Sequence, residues 1–458
     1  MFRVNLGVGL GRWLYVAPRG LIGISSRLGL QVSGPESQVS GEQQRRFNLR
    51  PETRDLRPQE HPYQTAQLVG ILATLMKTIA DTVIIGGGIM GASTAYHLAK
   101  RGCTNVVVLE AGEMFGLGST GLNAGGVRYQ FASRVNIELS KLSFGMMERF
   151  ADEMEQQIGM RRCGYLFMLD QQDDLEQFRR NVALQNAHGV PSRVVTTEEI
   201  SALAPEVDVT GIIGGTWCPA DGLVDPHGLL QGYVSNARRL GATLRTGARV
   251  ESVEVTNGRV TAVRTNDEVF ATQNVVVAAG PWSASIGEMV GIDIPIEPIR
   301  RQIAVTGPIA GLRPDFPFVI DFSRSLYFHR EGPGILTGMS NNDEQTSFDT
   351  SVDQEWRLRH FEEAAKRLPL LADAEISAEW AGLYEVTPDD QPIIGKLPEI
   401  DGLFICAGFS GHGLMHGPAT GLLMAEEILD GRAHTLDIDV LRWSRFASGV
   451  SAAEYNVV

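Results

Sequence analysis

The run Gly86-Gly87-Gly88-Ile89-Met90-Gly91 spaces three glycines as G-x-G-x-x-G, and Glu110 follows further along the chain. In that pattern Gly86 permits a tight turn, Gly88 lets backbone approach a pyrophosphate, and Gly91 lets helix and strand pack closely. The pyrophosphate would sit at a helix N-terminus, where unpaired N–H groups and the dipole favour an anion. A carboxylate at the Glu110 spacing accepts ribose hydroxyls. Arg128, in Gly125-Gly126-Val127-Arg128, offers a fork that could grip a carboxylate with two parallel hydrogen bonds. The plainer reading of Arg128 is a surface arginine. His412 stands between Gly411 and Gly413, so its backbone can come close to a ligand and its ring could hold a charge or proton there. A structural histidine is the alternative. Arg300 and His416 are weaker candidates, Arg300 because its strand could turn it to a ligand or to solvent.

The elements around these residues supply the context that a bare glycine motif lacks. Asp81 to Ile85 reads as a short β-branched strand, Ala92 to Lys100 as a helix, and Val106 to Leu109 as a second strand ending at Glu110. Strand, glycine turn, helix, strand and acid together predict a dinucleotide site. Two later strands also end in small residues: Asn274 to Ala278 runs into Ala279-Gly280-Pro281-Trp282, and Leu403 to Ala407 runs into Gly408-Phe409-Ser410-Gly411-His412-Gly413. Three glycine-ended strands far apart in the chain point to one long cofactor touched at several places. FAD suits that better than NAD. Ile294 to Thr306 and Leu326 to Met339 read as further strands, and a helix is expected from about Pro418 or shortly before. Tyr165, Tyr327 and Tyr384 could line a pocket, although aromatic residues on strands are more often core.

Length and composition set the frame. A chain of 458 residues exceeds one ordinary core, so two interleaved domains are expected. The 51 glycines suit many tight turns and close ligand approaches. A net charge of −14 argues against nucleic acid as a partner. Cys103, Cys163, Cys218 and Cys406 form no C-x-x-C pair, so no metal site and no disulfide framework is expected. They read as free thiols in a reducing compartment. Residues 1–75 hold nine arginines and no lysine. This extension reads as a transit peptide, or as a disordered or spurious stretch upstream of a start at Met76. The second reading is preferred, because Met76-Lys77-Thr78 leads into the first strand without a linker. It implies a cytoplasmic protein; a transit peptide would imply a mitochondrial one. No segment reaches the roughly 20 apolar residues needed to span a bilayer.

The chain resembles the D-amino-acid-oxidase-like flavoproteins of the glycine and sarcosine oxidase group. The likeness rests on Gly86 to Glu110, Gly118-Ser119-Thr120, Gly164 to Phe167, Asp221 to Pro226, Pro298 to Gln302, Trp380 to Tyr384, Thr387-Pro388-Asp389 and Gly408 to Gly413. It is most similar to β subunits of sarcosine oxidase and dye-linked proline dehydrogenase. The resemblance implies an α/β Rossmann-type FAD-binding domain over 76–160, 223–290 and 381–440. It also implies an interleaved substrate domain with an antiparallel β-sheet over 161–222 and 291–380, and a tail at 441–458. Along the cofactor it implies Gly86, Gly88, Ile89, Met90, Gly91 and Glu110, then Ser119, Thr120 and Val250. Ala279, Gly280, Trp282, Gly382, Gly408, Gly411, His412, Gly413, Leu414 and Met415 complete that set. Arg128, His412 and Arg300 are the expected catalytic residues.

Three departures from the family qualify the likeness. Gly382 stands where monomeric sarcosine oxidases attach FAD through cysteine, and Gly121-Leu122-Asn123 stands where dimethylglycine dehydrogenases use histidine, so non-covalent FAD is expected. Met415 replaces a lysine that helps bind the substrate carboxylate. Leu336 aligns with the lysine that helps oxygen react, which favours a dehydrogenase using another acceptor. The implied reaction is oxidation of a small secondary, N-alkyl or cyclic amino acid. Hydride transfer to flavin N5 would leave an imine that water hydrolyses, with positioning as the protein's main contribution. The N–H groups of Gly413 to Met415 would stabilise negative charge on the flavin if they start the helix. The rival reading is a flavin-binding subunit or assembly factor with little activity alone, and a catalytic β subunit needing partner chains lies between the two.

Overall fold

The computed structural model describes residues 77–448 and 453–457. Before them it describes only three short strands, Arg3–Asn5, Trp13–Val16 and Ile22–Ser25, which pair antiparallel among themselves. The expectation for the rest of residues 1–75 lies outside the described residues.

Two sheets organise the main body. The first has six strands in the order Thr243–Arg245, Val106–Leu109, Thr82–Ile85, Val275–Val277, Leu403–Ala407 and Ile393–Lys396. The first five run parallel, and the last pairs antiparallel at the edge. Strands buried on both faces need apolar side chains at every position, which explains the unbroken runs Val106-Val107-Val108-Leu109 and Val275-Val276-Val277. Alternation sends Ile84, Val106, Val108 and Val276 into one core and Val83, Ile85, Val107 and Val275 into the other. The helix Ile89–Lys100 covers the first of these faces and packs against Pro226–Arg239 and Gly413–Leu429.

The second sheet has eight strands in the order Ile376–Val386, Glu297–Thr306, Gly334–Met339, Leu326–Glu331, Phe318–Asp321, Tyr165–Leu169, Gly214–Cys218 and Arg193–Val195. All neighbours are antiparallel except Phe318–Asp321 beside Tyr165–Leu169. The stretch from Leu326 to Met339 is a hairpin rather than one strand, turning where Gly332 takes φ +54°. The strand Ile376–Val386 runs through residue 381, so a domain boundary there would cut a continuous strand.

No helix among the described residues is long and apolar enough to cross a membrane. Among the same residues no cluster of metal-binding side chains occurs, and the four cysteines are unpaired.

Candidate active site

A cavity of about 540 Å³ is lined by residues of both sheets and of the loops that follow their strands. Two groups of residues make its wall.

The first group surrounds the glycine turn. Gly86 takes φ +116°, and a side chain there would meet the Ala278 carbonyl at 2.2 Å. A Cβ at Gly91 would lie 2.0 Å from the Gly86 carbonyl, so the helix can start against the strand end only with glycine. Glu110 accepts from the Gly87 N–H at 2.8 Å and the Gly112 N–H at 2.7 Å, which fixes its carboxylate on the cavity wall. The helix Ile89–Lys100 has neither a side-chain cap nor an acid in its first turn. The Ile89 N–H is met by Thr120 Oγ1 at 3.1 Å, and Gly88, Ile89 and Met90 face the cavity. Ser119, Thr120, Val250, Ala279, Gly280 and Trp282 share this wall.

The second group gathers under the eight-stranded sheet. The helix Gly413–Leu429 begins at Gly413, ahead of the expected start near Pro418, and Pro418 lies inside it. Its first residues, Gly413, Leu414 and Met415, therefore form the cavity wall, again without a side-chain cap or an acid. His412 is 2% exposed and lines the cavity, and neither ring nitrogen makes a well-formed hydrogen bond within the chain. Burial, with His416 and Arg128 beside it, holds His412 well below the ordinary histidine range. That shift favours the neutral ring. His416 is also neutral, held at about 3 by burial and Arg128. It sits behind the wall, 3.0 Å from Ser140 Oγ.

Of the two successive arginines, Arg301 lines the cavity and the candidate Arg300 does not. Adjacent residues on a strand point to opposite faces. Arg300 turns away and pairs with Glu344 at 2.9 Å and Asp349 at 3.0 Å, and it is absent from the cavity lining. Arg301 faces the cavity, lies 5.2 Å from the Tyr384 ring centre, and keeps a buried Nε with no partner. Its Nη1 donates to the Arg300 carbonyl at 3.0 Å. Sequence reasoning missed Arg301 because two successive arginines give no sign of which one faces inward. Arg128 lines the cavity as expected, but its Nη1 donates to the Gln130 carbonyl and its Nη2 to the Asn456 carbonyl. Its guanidinium also lies 4.0 Å from the Phe131 ring centre. Tyr165, Tyr327 and Tyr384 line the cavity too, and burial pushes all three phenols up, so they stay protonated.

Two other expectations change. Gly408 does not line the cavity; its N–H donates to Glu385 Oε2 at 2.9 Å, and a side chain there would strike Thr387. Glu385, which the sequence reading passed over, does line the cavity, and burial raises it to about 7. Leu336 on Gly334–Met339 is not itself among the lining residues, although its pairing with Val305 puts it on the same face of the sheet as cavity-lining Ile303.

The wall fits FAD. Two helix N-termini without a side-chain cap or an acid in the first turn suit an anionic, elongated ligand, and the unpaired His412 nitrogens suit a heteroaromatic ring. The two positions where relatives attach the cofactor lie together: a Cβ at Gly382 would be 3.1 Å from Leu122 Cβ, and both residues line the cavity. Neither offers a nucleophile, and no cysteine is among the lining residues, which matches non-covalent binding.

Residues 81–427 match the family model described as FAD dependent oxidoreductase. Human mitochondrial sarcosine dehydrogenase is 31% identical over 414 residues, covering 84% of this chain and 45% of that protein. Rat mitochondrial dimethylglycine dehydrogenase is 28% identical over 394 residues, and the chain again spans only 46% of it. FAD-dependent oxidoreductase domain-containing protein 1 of Xenopus laevis is 30% identical over 430 residues, covering 83% of this chain and 85% of that protein. Among solved structures, L-proline dehydrogenase from P. horikoshii is similar with a TM-score of 0.76 at 33% identity, covering 82% of this chain and 100% of that one. This chain belongs to the FAD dependent oxidoreductase family, and FAD is its cofactor.

Proposed function

We propose that this protein oxidises a small amino acid bearing a secondary, N-alkyl or cyclic amine, giving an imine that water hydrolyses. The observation that carries this is Arg301, a half-buried guanidinium whose buried Nε has no partner, on the cavity wall beside Tyr384. A guanidinium partly withdrawn from water gains from an anion, and a substrate carboxylate is the anion that a small amino acid would bring. FAD, when bound, supplies the acceptor for a hydride from the substrate's α-carbon. The chain's own residues position and shield. Arg301 grips the carboxylate, and Tyr327 and Tyr384 stay protonated and present O–H donors. Neutral His412 adds no positive charge against the substrate amine. Apolar Met415 stands where the resemblance expects a lysine, so Arg301 carries the anchoring that Arg128 and that lysine were expected to share. The similarity to an L-proline dehydrogenase and a sarcosine dehydrogenase supports a secondary amine.

The test is anaerobic addition of sarcosine, L-proline and glycine to the FAD-loaded protein. Bleaching of the flavin band by one of them supports the reading, and admitting air then separates oxidase from dehydrogenase by the speed of reoxidation. A yellow protein that no amine bleaches overturns it. The second reading, a subunit that turns over only with partner chains, has one observation in its favour. Trp282 on the cavity wall stacks on Phe348, with 42% and 49% of their surfaces exposed. Large aromatics left in solvent beside a cavity suit a partner or an electron acceptor docking there.

A further inference from the structure

Residues 454–457 form a segment, bent at Tyr455, whose side chains reach different anchors. The Glu454 carboxylate is 3% exposed and accepts from Ala132 N at 2.7 Å, Ser133 N at 3.2 Å, Ser133 Oγ at 2.9 Å and Asn136 Nδ2 at 2.9 Å. These donors open the helix Arg134–Glu148, where the dipole favours an anion. Tyr455 stacks on Phe322, meets Phe178 edge-on, and donates its O–H to Asp174. Asn456 is fully buried. Its Nδ2 donates to the Gln130 carbonyl at 3.1 Å, its Oδ1 accepts from Asn181 at 2.9 Å, and its carbonyl accepts from Arg128 Nη2. Val457 comes next and lines the cavity.

We propose that the segment Glu454–Val457 is one wall of the substrate space, that Val457 limits the size of the group admitted, and that Arg128 holds this wall in place. This rests on the amine-oxidation reading for the substrate's identity. The bonding explains the division of labour between the arginines. Arg128 gives Nη1 and Nη2 to two backbone carbonyls, one of them in the segment, while Arg301 keeps a donor free. A side chain that closes an apolar pocket discriminates ligands by size, because each methylene that fits or clashes changes binding. Release of the segment would take Val457 off the cavity and remove an acceptor from Arg128.

The experiment measures binding of acetate and benzoate to the FAD-loaded full chain by the shift each causes in the flavin absorbance, alongside anaerobic reduction by sarcosine and N-benzylglycine. Val457→Trp is expected to weaken benzoate by about tenfold or more relative to acetate. Val457→Ala is expected to shift that ratio the opposite way. Glu454→Lys and Arg128→Gln, which release the segment, follow Val457→Ala. The expected reduction by N-benzylglycine relative to sarcosine moves in the same directions. A benzoate-to-acetate ratio that stays constant through both Val457 variants overturns the wall. Equal loss of acetate and benzoate in Arg128→Gln, with no change of ratio, overturns the role given to Arg128 and makes it a carboxylate binder. Bleaching by amines with a constant ratio would sink the wall and leave the amine reading standing. A shifting ratio in a protein that no amine reduces would do the reverse.

Discussion

The two parts of the cavity wall are built by different means. Around the glycine turn, contacts come from main chain: the N–H groups at the start of Ile89–Lys100, the Gly86 turn, and Glu110 pinned by two backbone donors. Under the eight-stranded sheet, the start of Gly413–Leu429 is joined by side chains that converge from strands and segments far apart, among them Tyr165, Arg301, Tyr327, Tyr384 and Val457. A main-chain cradle can be written into one short run of sequence. A side-chain pocket exists only once the sheet has set which face of each strand turns inward.

The sharpest way to break this contrast is at Gly91. Gly91→Val forces a Cβ to within 2.0 Å of the Gly86 carbonyl, and the purified variant is expected to lose its yellow colour altogether. A variant that retains stoichiometric FAD would show that the cradle is not the grip. At the other wall, Arg301→Ala should lower the second-order rate of flavin reduction by about 100-fold through loss of a charged hydrogen bond. Arg300→Ala, whose guanidinium is spent on Glu344 and Asp349, should lower it far less. Stopped-flow reduction of the two variants checks the assignment, and equal losses would erase the distinction between the faces of that strand. Glu110→Ala should weaken FAD by about tenfold, read by titration of the apoprotein, because one side-chain acceptor is removed while the main-chain donors remain. The smallest effect belongs to Glu385. Burial raises it from 4.5 to about 7, so its contribution to stability is complete below pH 4.5 and is lost as pH rises through about 7. Glu385→Gln should flatten that part of the pH dependence of the thermal midpoint, and an unchanged profile would remove Glu385 as its source.

The same contrast explains what was legible in the sequence. The strands Thr82–Ile85, Val106–Leu109, Val275–Val277 and Leu403–Ala407 could be read because burial on both faces demands unbroken apolar runs. The glycines of the turn were legible because close backbone approach leaves no room for other residues. The start of the helix at Gly413 was not. Gly411-His412-Gly413 reads as loop, and Pro418 reads as a beginning, whereas the helix accommodates that proline in its interior. The choice between Arg300 and Arg301 depends on strand register, which neighbouring charges do not reveal. Residues 454–457 read as an unremarkable tail, since nothing in the order Glu-Tyr-Asn-Val announces a partner set drawn from residues 128–136, Asp174, Asn181 and Phe322.

The strand Ile376–Val386 has a mechanical consequence. It pairs with Glu297–Thr306 from Glu297↔Val386 to Thr306↔Ile376, and its residues Gly382 to Glu385 also form part of the cavity wall. A ladder of that length resists bending, so the wall it carries cannot hinge away from the rest of the sheet without breaking consecutive hydrogen bonds. Entry and exit of small molecules must then depend on loops and segments outside the ladder. Slow amide exchange along Ile376–Val386, with faster exchange at Gly118–Thr120, would be the signature of a rigid beam with a yielding margin.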